Sequence, residues 1–252
     1  MDIQFGSKTV TGRRKSNQDS IFFMQQNDCF IAAVADGMGG YGGGEVASRI
    51  VADVCREKFM MFSTAPEKEQ LERTILKIIA SSQEHIKMKS VEKEELSKMG
   101  TTLTVAIGCM GEYVVGNIGD SRTYLISGDW IEQLTKDNSM GQEYREKFSE
   151  EERDSGLLQK ISHALTKSLS GGEDEADIYP GEGRRYTFRR NDKLVLCSDG
   201  LILDKIGDTG PEILRIMGMD GSHDEAAEAL VNWAYENESS DNISVIVVAA
   251  GE

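Results

Sequence analysis

Five aspartates in this 252-residue chain share one local setting. Asp36 follows the apolar run 31–35 and precedes Gly37, while Asp199 follows the run 193–198 and precedes Gly200. Asp120 lies in Gly119-Asp120-Ser121-Arg122, between two β-rich stretches. Asp241 stands just before the last apolar run and Asp19 just before the second. Short, bounded apolar runs read as buried strands, so each acid stands at a strand end. If the sheets bring those ends together, the acids meet. Two carboxylates ~4 Å apart repel by about 4 kcal/mol at an effective dielectric of 20, so a cluster of them needs cations. Oxygen donors alone select hard ions, magnesium or manganese. Such a set suits hydrolysis of a phosphate ester, in which two ions hold one water and orient it for in-line attack. The anionic substrate needs a cationic anchor. Arg14 is the candidate, because its fork matches phosphate oxygens at two points. The competing reading of ADGMGGYGGGE (35–45) is a tight turn carrying an incidental acid.

Other chemistries fit less well. His85, His163 and His223 do not pair at ligand spacing with one another or with the cysteines, which disfavours zinc. Each reads as an ordinary surface or core residue. No cysteine is followed by an arginine six positions later, no Asp-x-Asp occurs, and Asp-x-His and Gly-Asn-His are both missing. Those absences remove the cysteine-based, aspartyl-phosphate and His-rich dinuclear routes to phosphate hydrolysis. A nucleotide-binding loop at GGYGGGE (39–45) lacks the following Lys-Ser/Thr and would set Glu45 against the phosphates.

Composition narrows the partners. The formal net charge of -15 argues against nucleic acid, whose backbone is held by clustered Lys and Arg, and against an anionic membrane. Hydrophobic and charged contents of 39% and 28% are ordinary for a globular protein. Cys29, Cys55, Cys109 and Cys197 are widely spaced and form no CxxC pair, so they read as free buried thiols in a reducing compartment. No signal peptide and no membrane-length apolar stretch is visible, which gives a cytoplasmic expectation.

The elements that must position the acids follow from periodicity. Residues 3–10, 21–26 and 29–35 read as strands, the last two as a hairpin. From Glu45 the period becomes helical, with Val46, Ala47, Ile50, Val51, Val54, Phe59 and Phe62 on one stripe. A second helix follows Pro66, striped by Leu71, Ile75, Ile78, Ile79 and Ile86. Residues 101–108, 112–118, 121–126 and 130–134 form a meander. The charged stretch 136–160 reads as a surface excursion with one or two weak helices, and 171–183 as an acidic, Gly-rich loop. A strand at 193–198, an amphipathic helix at 223–235 and a buried strand at 243–250 complete the chain. Absence of a βαβ alternation points to α+β layers with antiparallel sheets in one domain.

Eight segments, in order, carry a family resemblance: RKSNQDS (14–20), VADGMGG (34–40), GTT (100–102), VGNIGDSRTYL (115–125), LTKDNS (134–139), ALTKSLSG (164–171), LVLCSDGL (194–201) and SSDNISVIVV (239–248). With them the chain resembles the metal-dependent PPM (PP2C-type) serine/threonine phosphatases, particularly the compact bacterial ones. The resemblance implies an α-β-β-α sandwich of two antiparallel sheets flanked by helix pairs, with two or three Mn2+ or Mg2+ ions at one edge. It implies that Asp36 bridges two ions and the Gly37 carbonyl joins one of them. Asp199 and Asp241 complete the other, and Asp120 with Asp199 holds a third. Asp19 acts mainly through water on the metals, and Arg14 binds phosphate. Residues 136–175 match the flap that shapes substrate access. The implied reaction is hydrolysis of phosphoserine and phosphothreonine by a water between the metals, on phosphoproteins made by a cognate kinase, in a monomer. Two departures stand out. Met38 occupies a position where many eukaryotic members have His, and Gln18 one where many members have Glu. A catalytically silent phosphoprotein-binding domain on the same fold is the alternative, and such domains usually have lost acids; here none is lost.

Overall fold

The structure, a computed structural model, describes residues 2–40, 42–62, 69–181, 183–203 and 207–251. Two antiparallel sheets form its centre. The first contains β1 (Ile3–Val10), β12 (Ile243–Ala250), β11 (Lys193–Cys197), β7 (Arg122–Ser127) and β8 (Trp130–Gln133), in that spatial order. The second runs β10 (Tyr186–Thr187), β6 (Glu112–Ile118), β5 (Leu103–Cys109), β3 (Cys29–Met38) and β2 (Asp19–Gln26). Two short strands, β4 (Gly100–Thr101) and β9 (Asp177–Tyr179), attach to β3 and β6. Helices α1 (Gly43–Met60) and α2 (Gln70–Ser90) cover the second sheet, while α5 (Gly210–Met217) and α6 (His223–Glu236) cover the first. The segment 136–175, expected to form a flap, carries α3 (Met140–Lys147) and α4 (Ser155–Ile161).

Strand alternation sorts the core into layers. On β3, Ile31, Ala33 and Ala35 pack toward α1 and α2, while Phe30, Ala32 and Val34 face the other sheet. On β12, Val245 and Val247 face α5 and α6, while Ile246 and Val248 face inward. On β11, Leu194 and Leu196 face inward and Val195 and Cys197 outward. Both faces of these strands are therefore apolar, which is why they read as continuous runs rather than alternating ones. Each fully buried Val or Ile contributes about 1.5–3 kcal/mol relative to exposure, so the register is strongly fixed: a one-residue slip would exchange the two faces.

Most expected elements are present, with instructive differences. β3 runs three residues past Ala35, because Gly37 and Met38 pair with Thr101 and Gly100. The stretch read as the loop 171–183 contains β9, whose three residues gain their conformation by pairing with β6. Helix α5 was not anticipated, although Pro211 in its first turn and buried Ile213, Ile216 and Met217 are helical signals. The second helix begins at Gln70; its expected start after Pro66 lies outside the described residues. The reading of four free thiols is corrected: Cys29 and Cys109 stand opposite each other in the β3–β5 register and form a disulfide, while Cys55 and Cys197 are free and buried. Eighty residues separate that pair in sequence, and only strand pairing brings it together. No helix among the described residues is long and apolar enough to cross a membrane.

Candidate metal centre

The inward-facing rows of the sandwich change from apolar to polar at one edge. Asp36 continues the row of Phe30, Ala32 and Val34, and Asp19 the row of Ile21. Ser198 extends Leu194 and Leu196, and Ser244 begins the row of Ile246 and Val248. Register places Asp19 directly opposite Asp36 on β2 and β3. The two-residue period thus aims these groups at one point between the sheets. Asp199 follows Ser198 in a 3-10 turn (Asp199–Leu201), and Asp241 precedes β12.

The Asp-Gly pairs serve close approach rather than sharp turning. A Cβ on Gly37 would lie 2.2 Å from the Gly44 carbonyl oxygen and 2.5 Å from that of Gln18. One on Gly200 would lie 1.9 Å from the Asn242 carbonyl oxygen. Only glycine lets these chains pack so tightly. Around Asp36, the Thr102 amide and the Thr101 hydroxyl both donate to its carbonyl, at 2.9 Å and 2.8 Å. Asn242 donates to the carbonyls of Thr11 and Ser16 and accepts from the Gln18 amide. One side chain thereby fastens the loop carrying Arg14 to the start of β12.

The carboxylates are held in place by unequal means. Asp19 Oδ2 accepts from the Ser198 hydroxyl at 2.8 Å and the Ser244 hydroxyl at 2.6 Å. Arg14 donates from Nη2 to Asp241 Oδ2 at 2.6 Å and from Nε to the Ser240 carbonyl at 3.1 Å. His163 Nδ1, from the flap, lies 3.2 Å from Asp199 Oδ2 and 3.9 Å from Asp120 Oδ2. Burial pushes Asp19 up to about 6, against the lowering effect of its serine partners. Burial likewise lifts Asp120 to about 6. Asp36 rises well above the ordinary range through burial and the neighbouring charges of Asp199, Asp19 and Asp120. Burial would lift Asp199 as well, yet hydrogen bonds with His163 and Asp36 and the charge of Arg14 hold it low.

One cavity of about 570 Å3 is lined by Arg14, Asp36, Gly37, Asp120, Asp199 and Asp241, together with Gln18, Thr102 and His163. Six of the seven expected site residues therefore converge on it. The seventh, Asp19, is the cross-strand partner of Asp36 and is bonded to the two serines. The residues fit divalent ions. Asp19 Oδ1 and Asp199 Oδ1 are buried carboxylate oxygens without a protein hydrogen bond, and mutual repulsion among the acids is the penalty that cations remove. Sequence reading missed His163, Ser198, Ser244 and Asn242. His163 was taken for an ordinary histidine, but its ring nitrogen lies within ligand range of the Asp120–Asp199 pair. The serines and Asn242 carried a signal: they are polar positions at the ends of otherwise apolar runs. His85 is exposed on α2 and His223 bonds Gln4, as expected of non-ligands.

The flap is pinned at both ends. Arg122 donates to both oxygens of the buried Asp137 carboxylate, at 2.8 Å and 2.6 Å. At the return, the Gln83 amide of α2 accepts from the Ser170 and Gly171 amides and donates to the Ser168 and Asp174 carbonyls. Its acids serve local ends. Glu146 pairs with Lys136, and Glu152 closes a capping box on Ser149.

Residues 10–233 match the family model of protein phosphatase 2C. The serine/threonine phosphatase stp of Listeria monocytogenes is 30% identical over 245 residues, spanning 96% of this chain and 93% of that protein. The crystal structure of Stp1 from Staphylococcus aureus superposes with a TM-score of 0.85 at 28% identity, over 99% of this chain and 96% of that one. The catalytic domain of PstP, in complex with two manganese ions, superposes at 0.80 with 26% identity, over 99% of each chain. By family match, overall identity and fold together, this chain belongs to the protein phosphatase 2C family and is a protein phosphatase.

Proposed function

We propose that the chain hydrolyses phosphoserine and phosphothreonine in phosphoproteins, in a reaction that requires manganese or magnesium. The observation that carries this reading is the single cavity joining Asp36, Gly37, Asp120, Asp199 and Asp241 to Arg14. The manganese pair in PstP supports the choice of ion. Asp36, the Gly37 carbonyl, Asp199 and Asp241 would hold two ions. Asp120 and Asp199, joined by His163, would hold a third. When bound, the ions neutralise phosphate charge and make a water nucleophilic near neutral pH.

The chain's own residues do the rest. Arg14 spends Nε and Nη2 on the Ser240 carbonyl and Asp241, which fixes its plane and leaves Nη1 for phosphate. A fixed guanidinium loses little entropy on binding and places the ester for in-line attack. Ser198 and Ser244 fix Asp19 so that its unpartnered Oδ1 can accept from a buried water. Met38 has no titratable proton, so the leaving alkoxide would take one from solvent or from water held at the ions. We further propose one catalytic domain over 1–252 with a flap at 136–175, acting as a cytoplasmic monomer on the products of a serine/threonine kinase.

Purified protein should cleave an aryl phosphate and a phosphothreonine peptide in manganese, with turnover abolished by chelator. Equal turnover in chelator would contradict the reading.

A further inference from the structure

Arg14 stands between β1 and β2 on a segment without regular structure, and its side chain is more than half exposed. Its tip is fixed by Asp241 and the Ser240 carbonyl. A long side chain is placed only as well as the main chain beneath it, and here that main chain is held by Asn242. The Asn242 amide nitrogen donates to the carbonyls of Thr11 and Ser16, at 2.8 Å and 2.9 Å. The Asn242 side-chain oxygen accepts from the Gln18 amide at 2.9 Å. These partners bracket Arg14 on both sides. The Thr11 carbonyl also accepts from the Arg14 amide itself, at 3.3 Å, which closes the turn. Gly12 seats that turn against the end of β12: its φ is +59°, and a Cβ there would lie 2.0 Å from the Asp241 carbonyl oxygen.

Burial and donor chemistry single out residue 242. Asn242 is 4% exposed, so its bonds are not exchanged for water. Its own main chain is fixed, because β12 begins at the next residue and Gly200 packs against its carbonyl. All of its partners on the loop are main-chain groups, so one distant side chain sets the loop's course. The amide supplies both donors and the acceptor at once. Aspartate at this position could not donate, and serine would bring a single donor on a shorter stem. Asn242 does not line the metal cavity, whereas Arg14 does. Its link to Asp241 is made by the main-chain amide, which donates to Asp241 Oδ1 at 2.8 Å and survives truncation of the side chain.

We propose that Asn242 is a positioning residue for phosphate recognition. Through the main chain at Thr11, Ser16 and Gln18 it sets where the Arg14 guanidinium meets the phosphate, without touching substrate itself. This assignment rests on the phosphatase reading, in which Arg14 binds phosphate, and adds the residue through which that contact is held in place. Misplacing such a group by about 1 Å costs up to about a hundredfold.

The test is a double-mutant cycle on the full chain in manganese, with Asn242→Ala, Arg14→Ala and the pair, each verified as folded by its melting curve. Para-nitrophenyl phosphate gives kcat and KM, inorganic phosphate gives an inhibition constant, and calorimetric titration gives manganese affinity. Asn242→Ala should raise KM and the phosphate inhibition constant about tenfold and change kcat and manganese affinity less than about threefold, the mark of a lost binding contact. In the Arg14→Ala background the same substitution should change KM less than about twofold, because the group it positions is gone. Asn242→Ser, which returns one hydroxyl, should fall between Asn242→Ala and the native chain. An unchanged KM, a full effect in the Arg14→Ala background, or a loss of manganese affinity as large as the rise in KM overturns the assignment. So does failure of both Asn242 variants to melt cooperatively, which would make Asn242 a residue of the fold alone. Turnover by the native chain upholds the phosphatase reading whichever way the cycle falls. Its absence in manganese overturns that reading, and the assignment with it.

Discussion

Asp36 and His163 reach the same cavity by different routes. Asp36 is carried on β3, a strand paired on both sides and packed on both faces. His163 hangs from the flap, between a short exposed helix and the segment bonded back to Ser139 and Thr101. The acids of the sandwich edge have no freedom to separate, so their repulsion is built into the folded state. The histidine's reach depends on a flap fastened at its two roots, by Arg122–Asp137 and by Gln83. The edge at Asp36 is fixed by strand pairing on both sides, whereas the 136–175 segment is fastened at its ends.

The sharpest way to break that contrast is Asp36→Asn. On the proposed function, removing this charge should cost several kcal/mol of transition-state stabilisation, about a thousandfold or more in kcat. Isothermal titration should show manganese affinity lost with it. Retained turnover and affinity would mean that the strand edge is not where the ions sit.

Burial of the acids, with their mutual repulsion added, gives the next effect. Asp19 and Asp120 are raised from 3.8 to about 6 in the folded chain. The metal-free folded state therefore binds more protons than the unfolded state between pH 4 and 6. Stability from these groups is present at low pH and lost as pH rises through 6, by about 3 kcal/mol each before coupling. Without metal, the melting temperature should fall between about pH 4 and 6.5, and saturating manganese should abolish the fall. A flat metal-free profile would show that Asp19 and Asp120 are not held buried among other acids as the structure has them.

Arg14→Ala removes a charged hydrogen bond worth about 1.5–3 kcal/mol. It should weaken kcat/KM about 10- to 100-fold, more through KM than through metal binding. An equal loss of manganese affinity would assign the arginine to holding Asp241 instead of phosphate.

The smallest effect belongs to the flap. If Asp120 and Asp199 hold an ion as proposed, His163→Ala should weaken its binding about tenfold, within the 10–100-fold range seen for supporting groups, and leave binding at the other acids unchanged. Titration by electron paramagnetic resonance should separate the classes of manganese. An unchanged titration would make His163 a hydrogen-bond partner of Asp199 only.

Much of the strand framework was readable in advance, because β3, β11 and β12 are nearly unbroken apolar runs and α1 carries a clear helical stripe. The acids could be nominated for the same reason, since a charge directly after such a run has to sit at the rim. β9 and β10 were hidden, being two or three residues long with no period of their own. His163 was hidden more deeply. Its neighbours in sequence say nothing about the aspartates it meets, which lie 43 and 36 residues away on either side.

The sequence by itself determined the alternation that aims Asp36, Asp19, Ser198 and Ser244 to one face, because a strand's period is a local property of its backbone. Only the tertiary structure decided that those faces oppose each other across one gap, that Gly37 and Gly200 are there for close contact, and that a flap histidine joins the acids. Those are outcomes of packing between distant segments, and local spacing holds no record of which segments will meet.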